Sequence, residues 1–153
     1  LGYLVAEPAF LAEARALRGM MLRHPPGHVQ RTMAYFLSLG HYDRQLNRMR
    51  AAYAERRTAT AQALVRHGLD VGMEAGSGGS SFWLGTPGGL DSELLAARLR
   101  PQGVLIEPGR PFHRQSGAGA ASYRLAYSSI GVSEIEEGIR RIAAVSRDCA
   151  GAA

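Results

Sequence analysis

The segment SYRLAYSSIGVSEIEEGIRRIAAV, residues 122–145, combines the two periodic patterns from which the fold of this chain is predicted. Its first part, residues 122–128, alternates large apolar side chains with Arg124 and Ala126, which predicts a strand with one buried face. The side chains predicted to face the core are Tyr123, Leu125 and Tyr127. This strand pattern indicates that a sheet lies against a hydrophobic core near the end of the chain.

A helix is predicted directly after that strand. Ser133 and Glu136 have the spacing of a capping box, in which each side chain accepts a hydrogen bond from a free backbone N–H at the helix start. The residues predicted to face inward recur at helical spacing and are Ile135, Ile139, Ile142 and Val145 or Ser146. A strand followed by an amphipathic helix is typical of an α/β module.

The preceding residues indicate more short elements of the same module. Strands are predicted at residues 69–74, 81–84 and 103–107. A glycine- and serine-rich turn at residues 76–80 separates the first two, and Pro108 with Gly109 ends the third. Asp91 is a suitable N-cap for a helix that carries Leu94, Leu95 and Leu99.

The first part of the chain has a different pattern, in which helices dominate. A short apolar strand is predicted at residues 1–6, and Pro8 suits the first turn of the helix that follows. Helices are predicted at residues 9–23, 28–39 and 42–67. Gly40 and Gly68 are placed to end the second and third helices. The fold class expected from the whole pattern is α/β, with a small α+β module at the end.

The charge of the chain is basic but does not indicate a nucleic-acid partner. The net charge is +5, and all 18 basic residues are arginine because the sequence contains no lysine. The arginines are spread from Arg15 to Arg147, whereas nucleic-acid-binding proteins cluster their charge on one face. The densest stretch, residues 44–57, is interpreted as a solvated helix face. We therefore expect no direct DNA contact by this chain.

Length and cysteine content limit the remaining classes. A chain of 153 residues is long enough for one domain with a core, and it has no apolar run long enough to span a membrane. No signal peptide is recognised at the start of the chain. The chain begins with Leu1 rather than methionine, which suggests a fragment, a processed chain or an incomplete reading frame. The single cysteine, Cys149, suits a reducing, cytoplasmic setting and is interpreted as an inert thiol.

Five local strings, in this order, resemble one protein family. They are GYLVA from Gly2, VQRTMAYFLSLGHYDRQLNRMRAAYAERR from Val29, GGSSFWL from Gly78, LLAARLRPQGVLIEPGRPF from Leu94, and SYRLAYSSI with IEEGIRRIA from Ser122. The chain resembles the C-terminal region of fold-type-I, class I/II aminotransferases, and most closely the aminotransferase-like domain of MocR-type regulators of the GntR superfamily.

That resemblance implies a domain organisation and a cofactor. Residues 1–40 would be the end of the large domain that binds pyridoxal 5′-phosphate, residues 41–67 the connecting helix, and residues 68–153 the small C-terminal domain. In the family, the lysine that forms the Schiff base with the cofactor precedes a position equivalent to Leu1. Since this chain has no lysine, we expect that it does not hold the cofactor covalently and is not catalytic alone.

Arg124 is the main candidate site residue. From the residues alone, an outward-facing strand arginine in a salt bridge is the ordinary interpretation. The resemblance implies instead that Arg124 matches the family arginine that binds the α-carboxylate of the substrate. A guanidinium suits this task because its planar fork donates two parallel hydrogen bonds to a carboxylate.

The loop at residues 107–114 contains further candidates. The resemblance implies that this stretch faces the mouth of the active site, where Arg110, His113 or Arg114 would touch the side chain of the substrate. A plain turn between strands explains the same residues equally well, and the two interpretations remain open.

The remaining motifs favour structural roles. The glycines at residues 76–81 lack the helix that a phosphate-binding loop requires directly afterwards, so a hairpin is preferred. Trp83 is expected in the core, and Phe82 is the weaker candidate to approach the site. The five histidines do not have metal-ligand spacing, so no metal site is predicted.

Three hypotheses on function remain. The leading one is an effector-binding domain of a MocR/GntR-type regulator that takes an amino-acid-like small molecule and forms a homodimer in the intact parent. The alternatives are a fragment of a genuine class I/II aminotransferase and an inactive, truncated reading frame.

Overall fold

The computed structural model describes residues 1–69, 79–115 and 117–150. Within them are five α-helices and one sheet of three strands, and short 3₁₀ turns connect some of these elements. In chain order the elements are α1 (Pro8–Met21), α2 (Gly27–Ser38), α3 (His41–Arg66), β1 (Ser81–Gly85), α4 (Ser92–Leu99), β2 (Glu107–Pro108), β3 (Ser122–Ala126) and α5 (Val132–Ala150). Each helix in these ranges is too short or too polar to cross a lipid bilayer.

The three N-terminal helices confirm the helical periodicity of the sequence. Pro8 occupies the first turn of α1, where its missing N–H leaves no bond unmade. At the end of α3, Gly68 has a φ of +68° and Leu69 donates its N–H to the carbonyl of Leu64 at 3.0 Å. A glycine in the left-handed region thus ends α3, as predicted, because it adopts this conformation without a Cβ clash.

The strand predicted at residues 1–6 is not formed. Residues 1–7 have no regular secondary structure, and most of their side chains are exposed. A strand requires a neighbouring strand to satisfy its backbone groups, and none of the described residues supplies one to this segment. The prediction of a strand here was therefore wrong for this chain.

The chain divides into two compact units, Leu1–Arg48 and Met49–Ala153. In the first unit no residue is buried, and large apolar side chains such as Tyr3 and Val5 are exposed by 93% and 83%. In the second unit the described core runs from Ala63 to Cys149. The described hydrophobic core therefore lies in the second unit, and the apolar side chains of the first unit are largely exposed.

The sheet of the second unit is antiparallel with β3 in the centre, in the order β1-β3-β2. Its inner face is apolar and its buried side chains are Phe82, Leu84, Tyr123 and Leu125. Because successive strand residues point to opposite faces, the residues between these side chains lie on the outer face. Strand β3 and the inward residues Tyr123, Leu125 and Tyr127 match the prediction.

The strand predicted at residues 103–107 is shorter and later than expected. A 3₁₀ turn occupies Arg100–Gln102, Gly103 follows it with a φ of +76°, and only Glu107 and Pro108 pair with β3. The predicted strand at residues 69–74 and the turn at residues 76–80 fall mostly outside the described residues.

Helices α4 and α5 pack behind the sheet, and the inward face predicted for α5 is confirmed. Leu95 and Leu99 of α4 are fully buried, whereas Leu94 is exposed by 44%. On α5, Ile135, Ile139, Ile142, Val145 and Ser146 are all buried. The buried hydroxyls of Ser92, Tyr123 and Ser146 have no hydrogen-bond partner among the described residues.

Candidate functional site on the outer face of the sheet

Arg124 lies at the centre of the outer face of the sheet. Its neighbours Tyr123 and Leu125 are buried on the inner face, so the side chain of Arg124 projects the other way and is 41% exposed. Across the strands, Arg124 pairs with Trp83 of β1 and Glu107 of β2. Directly opposite residues share a face of the sheet. The sheet thus brings a cation, an anion and an indole ring together.

Glu107 makes a bidentate ion pair with Arg124. Nε and Nη2 of Arg124 donate to Oε2 and Oε1 of Glu107 at 2.5 and 2.8 Å. The hydrogen bonds from Arg124 hold the pKa of Glu107 below its usual range, and the same bonds raise the pKa of Arg124. Both groups are therefore charged at neutral pH, as in the ordinary interpretation of a strand arginine.

Aromatic rings surround this pair. The guanidinium carbon of Arg124 lies 5.3 Å from the ring centre of Phe112, within cation–π distance. The ring of Trp83 meets Phe112 edge-on at 5.5 Å and lies 5.8 Å from the imidazole of His113. We call Trp83, Glu107, Phe112, His113 and Arg124 the outer-face group.

The loop that carries Phe112 and His113 packs closely against the backbone at Gly119, and the two glycines Gly109 and Gly119 make this possible. A Cβ added at Gly109 would lie 2.5 Å from the carbonyl oxygen of Gly119. One added at Gly119 would lie 2.3 Å from Cδ2 of His113. The backbone at Gly109 and the backbone at Gly119 can lie this close together only because neither residue has a side chain.

The guanidinium of Arg110 makes its ion pairs at the start of α4 and not with the outer-face group. Its Nη2 lies 2.6 Å from Oδ2 of Asp91, and its Nε lies 3.6 Å from Oε1 of Glu93. Asp91 is also the N-cap of α4, as predicted, because it accepts the N–H of Glu93 at 2.8 Å. The backbone hydrogen bond from Glu93 and the side-chain bond from Arg110 lower the pKa of Asp91. Arg110 therefore ties the loop to α4.

The expectations for Trp83 and Phe82 were reversed. Phe82 is 3% exposed in the core, and the guanidinium of Arg57 lies 4.8 Å from its ring centre. Trp83 is 45% exposed on the outer face. The period of two in SFWLG could have given this result, since Phe82 and Leu84 together fill the inner face. The pairing of Glu107 with Arg124 depends on strand register, which the sequence pattern does not fix.

The described residues do not fit covalent attachment of pyridoxal phosphate. The sequence contains no lysine, so no side-chain amine exists to form the Schiff base. Among the described residues, no cluster of three or more His, Cys, Asp or Glu is arranged to hold a metal ion. Cys149 lies on α5, is 6% exposed, and accepts a hydrogen bond from Nη1 of Arg98 at 3.2 Å.

Comparison with known proteins finds that this chain is similar both to a transcriptional regulator and to a transaminase. The chain is 56% identical over 147 residues to the HTH-type transcriptional regulator TauR of Rhodobacter capsulatus, a match that covers 96% of this chain and 30% of the regulator. It is 33% identical over 144 residues to the 2-aminoadipate transaminase of Thermus thermophilus, covering 93% of this chain and 36% of that enzyme. The chain thus spans about a third of the length of these curated relatives.

A solved structure and a family model agree with these matches. The crystal structure of alpha-aminoadipate aminotransferase from Thermus thermophilus, complexed with N-(5′-phosphopyridoxyl)-L-leucine, has a TM-score of 0.81 and 29% sequence identity. The match covers 97% of this chain and 38% of that one. The model of the family described as aminotransferase class I and II matches residues 1–142. This chain therefore belongs to the class I and II aminotransferase family.

Proposed function

We propose that this chain forms the ligand-facing part of the aminotransferase-like domain of a MocR/GntR-type transcription regulator, where Arg124 binds the carboxylate of an amino-acid-like effector. The 56% identity to a transcriptional regulator, against 33% to a transaminase, supports the regulator as the parent. In this proposal the chain binds the effector and does not itself contact DNA.

The proposal rests on one observation, which is that the Arg124 guanidinium is partly exposed and has one edge that is not fully hydrogen-bonded. Its side chain is 41% exposed, and the edge formed by Nη1 and Nη2 makes no hydrogen bond to the described residues beyond the one from Nη2 to Glu107. That edge can therefore donate two parallel hydrogen bonds to a carboxylate. In this proposal His113, which lies beside Trp83, contacts the rest of the ligand.

The intact parent is proposed to be a cytoplasmic homodimer that binds pyridoxal phosphate through residues outside this chain. We keep the assignment of residues 1–40 to a large domain, 41–67 to a connecting helix and 68–153 to a small domain as part of this proposal. A direct contact between Arg110 and the ligand remains a prediction, although its ion pairs with Asp91 and Glu93 favour an anchoring role.

The test is binding of L-alanine to the 153-residue chain, followed by the fluorescence of Trp83, its single tryptophan. We expect a saturable change with L-alanine and none with L-alaninamide, which lacks the carboxylate. Arg124→Gln should weaken the binding of L-alanine about tenfold or more, because a charge-assisted bidentate contact is lost.

A matched control separates this effect from the loss of one positive charge. Arg140→Gln removes an exposed arginine of α5 that pairs with Glu137, and it should leave the binding of L-alanine unchanged. Equal affinities of wild type and Arg124→Gln, or equal responses to L-alanine and L-alaninamide, would refute the role of Arg124.

A genuine aminotransferase is the second candidate for the parent. The similarity to 2-aminoadipate transaminase and the TM-score of 0.81 to an aminotransferase structure favour it. The longer reading frame distinguishes the two candidates, because a regulator encodes a DNA-binding domain upstream and retards operator DNA, whereas an enzyme transfers amino groups with turnover. An upstream sequence without a lysine-containing aminotransferase motif would instead support the truncated frame.

A further inference from the structure

The ion pair of Glu107 with Arg124 uses one edge of the guanidinium and leaves the other edge available. The carboxylate of Glu107 takes the side edge, with Nε at 2.5 Å and Nη2 at 2.8 Å. A guanidinium also has an end edge, formed by Nη1 and Nη2, which can bind a second carboxylate in the same bidentate way. Glu107 and a ligand can therefore bind Arg124 simultaneously.

The outer-face group also holds the guanidinium of Arg124 by two kinds of contact. The guanidinium carbon of Arg124 lies over the ring of Phe112, 5.3 Å from its centre, and that ring in turn meets Trp83 edge-on at 5.5 Å and an angle of 89°. Glu107 adds a contact in the plane itself. Because the flexible arginine side chain is fixed by both contacts, a ligand that binds it loses less conformational freedom.

We propose that Glu107 is a positioning residue for ligand binding by Arg124, which holds the side edge of the guanidinium so that the end edge faces the ligand carboxylate. This inference rests on the proposed function of Arg124. Glu107 acts through Arg124 and makes no contact with the ligand.

If Glu107 acted only through its charge and did not position Arg124, its replacement would change ligand affinity in the opposite direction. Glu107 carries a negative charge beside the binding site, so its removal should strengthen the attraction of Arg124 for an anion. Loss of positioning should weaken binding instead. An exposed ion pair contributes little to folding stability, so Glu107 can be replaced without loss of the fold. The sign of the change in affinity therefore distinguishes a positioning residue from a nearby charge.

The experiment compares Glu107→Ala and Glu107→Gln in the 153-residue chain. Binding of L-alanine is followed by Trp83 fluorescence at neutral pH and constant ionic strength. We expect Glu107→Ala to bind roughly three- to tenfold more weakly than wild type, the cost of ordering one long side chain. Glu107→Gln retains the length and one acceptor oxygen, so it should recover part of the affinity.

A spectroscopic signature checks the positioning without a ligand. The Nε–H resonance of Arg124, assigned by its absence in Arg124→Gln, should exchange slowly with water in wild type and rapidly in Glu107→Ala. As a matched control, Glu137→Ala removes the exposed carboxylate that pairs with Arg140 and Arg141, and should change neither the affinity nor this resonance.

The affinity for L-alanine and the Arg124 Nε–H resonance decide whether Glu107 is a positioning residue. Unchanged or tighter binding of L-alanine by Glu107→Ala would overturn the positioning role, even if Arg124→Gln abolishes binding and so supports the proposed function. An unchanged Arg124 Nε–H resonance in Glu107→Ala would also overturn it. Absence of L-alanine binding by wild type, or unaltered binding by Arg124→Gln, would refute the proposed function and with it this inference.

Discussion

Gly119 lies where two stretches of backbone and an imidazole ring come into close contact. Its φ is +75°, and an added Cβ would lie 2.3 Å from His113 and 2.8 Å from the carbonyl oxygen of Gly109. The position of His113 beside Trp83 thus depends on a residue that has no side chain. At the residue scale, the outer-face group is shaped by glycine as much as by charge.

Gly119→Ala should therefore destabilise the second unit and displace His113. We expect a loss of about 2–4 kcal/mol in the free energy of unfolding, from the left-handed backbone and the steric clash together. Urea unfolding followed by Trp83 fluorescence measures this loss, and the folded-state emission should also change. Gly117→Ala is the control, since its φ is +84° but nothing lies within 4 Å of the added Cβ. It should lose about 1–2 kcal/mol, and equal losses in both variants would contradict the clash.

Individual residues were predictable from the sequence to different degrees. The outward orientation of Arg124 follows from the alternation in SYRLAY, whereas its role in ligand binding is predicted from the resemblance alone. Trp83 was misplaced because a large aromatic residue was assigned to the core by its type, although the period of its strand required the outer face. Glu107 was missed because its importance comes from β2–β3 register, which depends on tertiary structure.

At the scale of elements, the start of α5 shows how tertiary contacts override a local pattern. The capping box predicted from Ser133 and Glu136 is not formed, because α5 begins earlier, at Val132. Gly131 donates its N–H to Oε2 of Glu134 at 3.3 Å instead. Glu136 pairs with Arg66 and His67 at the end of α3. The earlier start of the helix frees Glu136 to link α3 to α5.

Helix capping offers a direct test of this difference. Asp91→Ala should cost about 1 kcal/mol in the free energy of unfolding, because α4 loses the acceptor for the N–H of Glu93. Ser133→Ala should change stability by less than about 0.5 kcal/mol, since Ser133 is exposed and caps no helix. Both are measured by urea unfolding at neutral pH. A loss of stability for Ser133→Ala as large as that for Asp91→Ala would contradict this expectation and support the capping box predicted from the sequence.

On the scale of the whole molecule, hydrophobic burial is distributed unequally between the two units. The described core runs from Ala63 to Cys149, whereas no residue of Leu1–Arg48 is buried. The sequence predicted the helices of the first unit from their periodicity, but periodicity alone does not reveal whether a partner surface is present for the apolar face. The domain assignment implied by the resemblance remains a prediction.

This distribution predicts how the chain should behave in solution. The exposed apolar side chains of the first unit should cause concentration-dependent association of the whole chain, measured by sedimentation velocity. The fragment 49–153 should remain monomeric and unfold cooperatively, because it keeps the core. In the whole chain, replacing the exposed Met20 and Met21 with glutamine should reduce association. A whole chain that stays monomeric at every concentration would contradict this expectation.

The unpartnered hydroxyl of Tyr123 has a consequence for how this protein can change over evolutionary time. Burial raises the pKa of Tyr123 and deprives its hydroxyl of water, and no described residue replaces that water with a hydrogen bond. An apolar residue of similar shape can be neutral or stabilising at such a position. Because Tyr123 and Arg124 are adjacent on β3 but face opposite sides of the sheet, selection can change the stability of the core at one codon and the chemistry of the outer face at the next, independently of each other.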